Sequence, residues 1–301
     1  MRAAARLCSL IENEEPGSAQ IRAALYRSAG RARVVGVTGP PGAGKSSLLS
    51  CLVEEAVRRK LSVGVLAVDP SSPVTGGALL ADRLRIRPSD PSGVFIRSLA
   101  SRGSRGGLAY AAFGIFRVME AMGKQIVFVE TVGAGQNEIA VAQLAGTTVY
   151  VTVPNLGDEI QALKAGILEV CDLFVVNKAD LGQAELAVSQ LRSALGLKNA
   201  ESPAGGWVPP ILSASAAQRR GVGQIFSSIV EHQEFLEKTG ESARRRRKQA
   251  AAEWLAAAER RVLSAMQAQL TEQLIDKLAA GKVDPYSLVE EMFSKTAGRK
   301  K

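Results

Sequence analysis

Apolar residues in this chain fall into short unbroken runs, with helix-spaced stretches between them. Val34–Thr38, Ser62–Val68, Val94–Arg97, Gln125–Val129, Thr148–Val153, Asp172–Val176 and Ile211–Ser213 are the runs. They show no polar alternation, so they read as strands covered on both faces, as in a parallel sheet. Helical patterns begin at Ser46, run from about Leu108 to Met122, and follow the loop Pro154–Glu159. Alternating strand and helix predicts an α/β fold: a mostly parallel sheet with helices on both faces. Residues 196–210, rich in Gly, Pro, Ala and Ser, read as a loop.

Outside that core the pattern is helical only. Residues 1–29 carry a partial stripe of Leu7, Leu10, Ile11, Ile21 and Leu25. After Lys238 a long alanine-rich helix is predicted from Ala250 to Ala280, with Gly281 as its stop. Asp284-Pro285 then opens a short helix bearing Leu288, Val289, Met292 and Phe293. The expected organisation is a helical segment (1–29), an α/β core (30–237) and a helical arm (238–301). One amphipathic arm cannot bury its own stripe, so it must pack on the core or on a second subunit.

Composition narrows the classes. The chain has 301 residues, 46% of them hydrophobic, enough for a sizeable core. The net charge is +9, part of it in Arg244–Lys248, with no aromatic residue in that run. This argues against a nucleic-acid partner and reads as a solvated hinge or helix face. Cys8, Cys51 and Cys171 are far apart and odd in number, which fits a reducing, cytoplasmic setting. His232 is the only histidine and reads as a polar helix residue; a histidine-rich metal store is excluded. No run reaches membrane-spanning length. Arg2 and Arg6 are soon followed by Glu12, Glu14 and Glu15, a poor secretory signal.

The chemistry begins at Gly39-Pro40-Pro41-Gly42-Ala43-Gly44-Lys45-Ser46, which fits G-x-x-x-x-G-K-[ST] between a strand and a helix. The glycines let backbone N–H groups turn inward around a polyphosphate, and the helix start at Ser46-Ser47 adds partial positive charge. Lys45 is placed to reach the β- and γ-phosphates and Ser46 to ligate Mg²⁺. Asn177-Lys178-Ala179-Asp180 follows a buried strand and has the N-K-x-D pattern that reads guanine. Asp180 can accept from N1–H and the exocyclic amine together, a pair adenine lacks. Lys178 lies along the base, and Asn177 ties this loop to the phosphate loop. Ser213-Ala214 fits a backbone contact to guanine O6. Asp69 and Glu130 end strands where a metal or its water shell is met, and Gly133 can offer its N–H to the γ-phosphate. Glu130 stands where ordinary GTPases have Asp. GTP/GDP and Mg²⁺ are the expected cofactors.

These pieces, with Asp69-Pro70-Ser71-Ser72-Pro73, Glu130-Thr131-Val132-Gly133, Ser98–Gly107, Gly157–Gln161 and Asp284-Pro285-Tyr286, closely resemble the MeaB/ArgK-type G-protein chaperones over nearly the whole chain. The resemblance implies a P-loop GTPase core and a homodimer joined through the C-terminal arm. It implies slow GTP hydrolysis stimulated by an adenosylcobalamin-dependent acyl-CoA mutase such as methylmalonyl-CoA mutase. That hydrolysis would gate cofactor delivery and release of damaged cofactor, and an adenosyltransferase is a further candidate partner. Lys45, Asp82, Glu130 and Gly133 are then the catalytic set, with Asp82 a metal- or water-organising group. Gln161 and Lys164 match a switch that reports nucleotide state to the mutase. Arg105 and Ala100 depart from the family pattern. No residue is an obvious base; Gln136 is a candidate for positioning water. Three other readings stay open: a metal-insertion GTPase, a small-molecule or protein kinase, and a nucleic-acid-binding NTPase.

Overall fold

The computed structural model describes residues 1–28, 30, 32–69, 86, 90–100, 107–131, 144–154, 170–196 and 206–297. Seven strands form one sheet: β1 (Arg33–Thr38), β2 (Val63–Asp69), β3 (Val94–Ala100), β4 (Ile126–Thr131), β5 (Thr147–Thr152), β6 (Leu173–Val176) and β7 (Ile211–Ser213). Their order is β3-β2-β4-β1-β5-β6-β7, and every pairing is parallel. The unbroken apolar runs are explained by burial: β5 and β6 are buried at every position.

The described helices are α1 (Arg2–Glu12), α2 (Ser18–Ser28), α3 (Lys45–Arg58), α4 (Gly107–Ala121), α5 (Ala184–Ala194), α6 (Val222–Lys238), α7 (Glu241–Gln267), α8 (Glu272–Ala279) and α9 (Pro285–Ala297). Val35 and Val37 of β1 pack into one layer with Leu48 and Leu52 of α3 and Ile225 and Phe226 of α6. Val34 packs into the opposite layer with Ile115 and Met119 of α4 and with Cys8 and Ile11 of α1. The N-terminal segment is thus two helices laid on α4. Arg22 of α2 fastens them: its guanidinium donates to Tyr110 O (2.7 Å) and Ile11 O (2.9 Å) and lies over the Tyr110 ring.

Packing divides the chain into two compact units, Met1–Ala256 and Ala257–Lys301, with the division inside α7. The single helix expected from Ala250 to Ala280 is corrected in two ways. It starts earlier, at Glu241, and takes the basic run Arg244–Lys248 into its first turns. It also stops at Gln267, and Thr271 caps a new helix by accepting from Leu274 N–H. Within the second unit α8 has no buried residue, and Leu270, Ile275, Tyr286, Val289 and Phe293 are exposed.

Candidate functional site

The strand order puts β1 in the middle of the sheet and the loop Gly39–Gly44 at its C-terminal end. Ligands of open α/β sheets bind at such an edge, where the connections diverge. Two glycines are required there by contact as well as by torsion. Gly39 has φ +140°, and a Cβ on it would stand 2.0 Å from Val151 O; Gly44 has φ +80°, and its Cβ would stand 2.5 Å from Asn177 Nδ2. Gly44 is the N-cap of α3 without a side-chain cap, so the first N–H groups of α3 face the loop. Lys45 is buried, and its Nζ donates to Gly39 O (2.7 Å) and Pro40 O (2.9 Å). The ammonium therefore lies across the loop, where a β- or γ-phosphate can replace the carbonyls.

Strand register brings the acidic group to this loop. Glu130 of β4 pairs with Val37 of β1, two residues before Gly39. It is buried, and its Oε1 accepts from the Ser46 hydroxyl at 2.7 Å. A hydroxyl beside a buried carboxylate is a pair of hard oxygens, the donor chemistry that Mg²⁺ prefers, so these residues fit the ion. Asp69 ends β2 at the same edge of the sheet, paired in register with Ala100, and its side chain lies outside the described residues. Asp82, Gly133, Gln136, Gln161 and Lys164 also lie outside them.

The second loop is tied to the first by one side chain. Asn177 follows β6, is 1% exposed, and donates from Nδ2 to Ala43 O (2.9 Å) and Gly44 O (3.4 Å). Its Oδ1 accepts from Ala216 N–H at 3.1 Å. Lys178 has φ +57° and Asp180 is exposed, so the chain turns sharply outward here. The Ser215 hydroxyl, hydrogen-bonded to the Asp180 carboxyl, holds it below the usual carboxylate range, helped by Arg220 and Lys178. An exposed aspartate is ionised at neutral pH in any case, as an acceptor of two guanine donors must be.

Ser213-Ala214 is not the pair that completes this loop. The Ala214 N–H is spent on Val176 O at 2.9 Å, continuing the β6–β7 ladder, and Ser213 is the last residue of β7. Ser215 and Ala216, two residues on, are the ones that meet Asp180 and Asn177. The sequence Ser213-Ala214-Ser215-Ala216 repeats itself. The spacing alone gives no means of choosing the register; the end of β7 does.

A phosphate loop, a hydroxyl beside a buried carboxylate and an asparagine-linked carboxylate loop share one edge of the sheet. The family model described as methylmalonyl-CoA mutase-associated GTPase MeaB matches residues 4–271. The chain belongs to the MeaB family. This MeaB-family GTPase is 43% identical over 302 residues to a putative GTPase of Pyrococcus abyssi, covering 99% of this chain and 93% of that one. It is 35% identical over 257 residues to the GTPase ArgK of Escherichia coli, covering 83% and 77%. Among solved structures, the crystal structure of a LAO/AO transport system kinase matches with TM-score 0.70 and 27% identity, over 98% of this chain and 92% of that one.

The MeaB-family chain also has a buried ionic cluster at the other end of the sheet, which sequence reading missed. Asp172, just before β6, accepts from Arg245 Nη1 (2.9 Å) and Nη2 (2.8 Å) and from Thr148 N–H (2.8 Å). His232 lies on α6, as expected of a polar helix residue, but it is fully buried. Its Nδ1 is 2.9 Å from the Thr147 hydroxyl, and its Nε2 is 3.2 Å from Asp172 Oδ1 but off the line of a good hydrogen bond. Burial pushes the Asp172 carboxyl up, but His232 and Arg245 outweigh it and hold it below its ordinary value. Arg245 also donates to Gly146 O at 2.7 Å. Of the basic run, Arg244, Arg246, Arg247 and Lys248 are exposed; Arg245 alone turns inward to the cluster.

Proposed function

We propose that this GTPase is a G-protein chaperone that gates the loading of adenosylcobalamin into an acyl-CoA mutase and the release of damaged cofactor. The observation that carries the guanine-nucleotide part is the buried Asn177, which makes the base-reading loop and the phosphate loop one rigid unit. The mutase part rests on the family description, which names methylmalonyl-CoA mutase. GTP hydrolysis by in-line attack of water needs charge neutralisation more than covalent chemistry. Lys45 and the loop amides bind and orient the triphosphate, and Asp180, held by Ser215, selects the purine. Ser46 and Glu130 would hold Mg²⁺, with Asp69 and Asp82 as further oxygen donors; the ion supplies positive charge to the β- and γ-phosphates. Glu130, buried and bonded to Ser46, keeps that hydroxyl aimed into the site. Gly133 is assigned to sense the γ-phosphate, and Gln161 and Lys164 to report nucleotide state to the mutase. Intrinsic turnover is slow in this reading, and the mutase accelerates it by ordering the switch loops.

The protein works as a homodimer in this reading. Support comes from the second unit, where Val262 and Leu263 of α7, Leu270 in the turn after it, Ile275 of α8, and Tyr286 and Phe293 of α9 are exposed. An apolar display of that kind is costly in water and fits burial against a second copy. The free cysteines, two of them buried, support a reducing cytoplasmic setting, and no described helix is long and apolar enough to cross a membrane.

Calorimetry with Mg²⁺ tests the nucleotide: GTP and GDP bind, and ATP binds at least about 100-fold more weakly. Equal affinity for ATP overturns the guanine reading. Phosphate release at saturating GTP, with and without purified methylmalonyl-CoA mutase, tests the chaperone role, and an unchanged rate overturns it. Phosphate appearing on a small-molecule or protein acceptor would instead favour a kinase.

A further inference from the structure

A cavity of about 450 Å³ opens at the N-terminal end of β1, the opposite end of that strand from the phosphate loop. It lies between the later half of α4, the later half of α6 and the first turns of α7. All its lining residues belong to the first compact unit. Its size is that of a small-molecule site.

Gln233 of α6 lines this cavity and is 6% exposed, yet neither atom of its carboxamide has a hydrogen-bond partner among the described residues. A buried amide left that way is rare and needs an explanation. Its neighbours are satisfied: Gln249 donates to Leu144 O, Glu120 accepts from Ala32 N–H and from Arg117, and Arg245 is held by Asp172. The walls beside it are apolar, with Val34, Phe116 and Leu236 nearly buried.

The charge around the cavity is one-sided. Five arginines line it against two glutamates. Arg117 is committed to Glu120 and Glu253, and Arg245 to Asp172. Among the described residues Arg246 donates to the Ser242 hydroxyl, and Arg33, Arg246 and Arg247 have no carboxylate partner. An unpaired donor–acceptor amide lies within, and uncompensated guanidinium groups lie around it.

We propose that this cavity is a second ligand site, for a small organic anion. Its carboxylate or phosphate meets the arginines, and its body offers Gln233 one acceptor and one donor. Guanidinium groups suit both oxyanions through paired N–H donors. The site is separate from the nucleotide site and does not depend on the chaperone reading.

The test uses the full-length protein with Mg²⁺–GDP saturating the phosphate loop. AMP supplies the phosphate probe and N-acetylaspartate the carboxylate probe; each carries a donor–acceptor edge. Adenosine and N-methylacetamide are the uncharged controls. At least one anionic probe is expected to bind with Kd below about 1 mM, and its uncharged counterpart at least about tenfold more weakly. Gln233→Leu, which keeps the bulk and removes both polar atoms, should weaken binding at least about tenfold. Arg33→Ser, at an exposed position, should weaken it by about threefold and flatten its salt dependence. GDP affinity should be unchanged in both variants, which shows that they are folded. Failure of both anionic probes to bind overturns the proposal, as does binding that Gln233→Leu leaves intact.

Discussion

Arg245→Met leaves the Asp172 carboxylate buried without its bidentate partner. Asp172 is 5% exposed, and Arg245 supplies two of its hydrogen bonds, at 2.8 and 2.9 Å. Removing one partner of a buried pair typically costs about 3–5 kcal/mol. The Arg245 side chain is 29% exposed, so water screens part of that charge, while Thr148 N–H and His232 remain on the acid. The variant should therefore lose about 2–4 kcal/mol. Asp172→Asn leaves a guanidinium that can reach solvent and should cost about 1–2 kcal/mol. The double variant should be no worse than Arg245→Met, giving a coupling of about 1–2 kcal/mol in a double-mutant cycle of urea unfolding. In the parent the Asp172 carboxyl is held below its ordinary value. Its contribution is thus full above the unfolded carboxyl's pKa and is lost as pH falls through the folded one. In Arg245→Met, burial is opposed by less, so the folded pKa rises. Near neutrality the variant then carries a penalty that shrinks as the acid protonates. The deficit should be largest at pH 7 and should narrow towards pH 4. A coupling below about 0.3 kcal/mol, or a deficit constant with pH, would refute the account.

Asp180→Asn should weaken GDP by about 100-fold, since one charge-assisted acceptor is lost and a donor faces the guanine N–H groups, and should leave ATP unchanged; competition calorimetry measures both. Ser215→Ala should weaken GDP by only about three- to tenfold, because it loosens Asp180 without removing it. Ser46→Ala and Glu130→Gln should each cut GTP hydrolysis by about 100-fold and flatten the Mg²⁺ dependence of nucleotide affinity; an unaltered magnesium titration would count against the hydroxyl–carboxylate pair. Gly44→Ala sets a Cβ against Asn177 at a left-handed position. It should weaken every guanine nucleotide at least about tenfold, read by fluorescent-nucleotide titration.

How much could be read in advance depended on how local the cause was. The central strands were legible because they are buried on both faces, β5 and β6 at every position, and so read as unbroken apolar runs. The phosphate loop was legible because its glycines answer to backbone torsion, which is local, although the close approaches of Gly39 to Val151 and of Gly44 to Asn177 come from far along the chain. Lys178 and Asp180 were legible as a pattern, and the link from Asn177 to the phosphate loop was expected from it.

What escaped depended on partners far away in the chain. The choice between Ser213-Ala214 and Ser215-Ala216 turned on where the β6–β7 ladder ended. Thr271 looked like one more polar residue until its hydroxyl was seen to cap α8, and the alanine-rich composition on both sides of it hid the break. His232 and Arg245 gave no signal at all, because a polar helix residue and one arginine among four read as surface until Asp172 is seen 73 residues before Arg245, buried between them. Composition and periodicity determined the α/β layers and the nucleotide-binding edge, since burial and backbone torsion act on neighbouring residues. Only the packed structure decided which serine steadies Asp180 and which arginine turns inward. Those outcomes are set by contacts between segments that the linear sequence keeps apart.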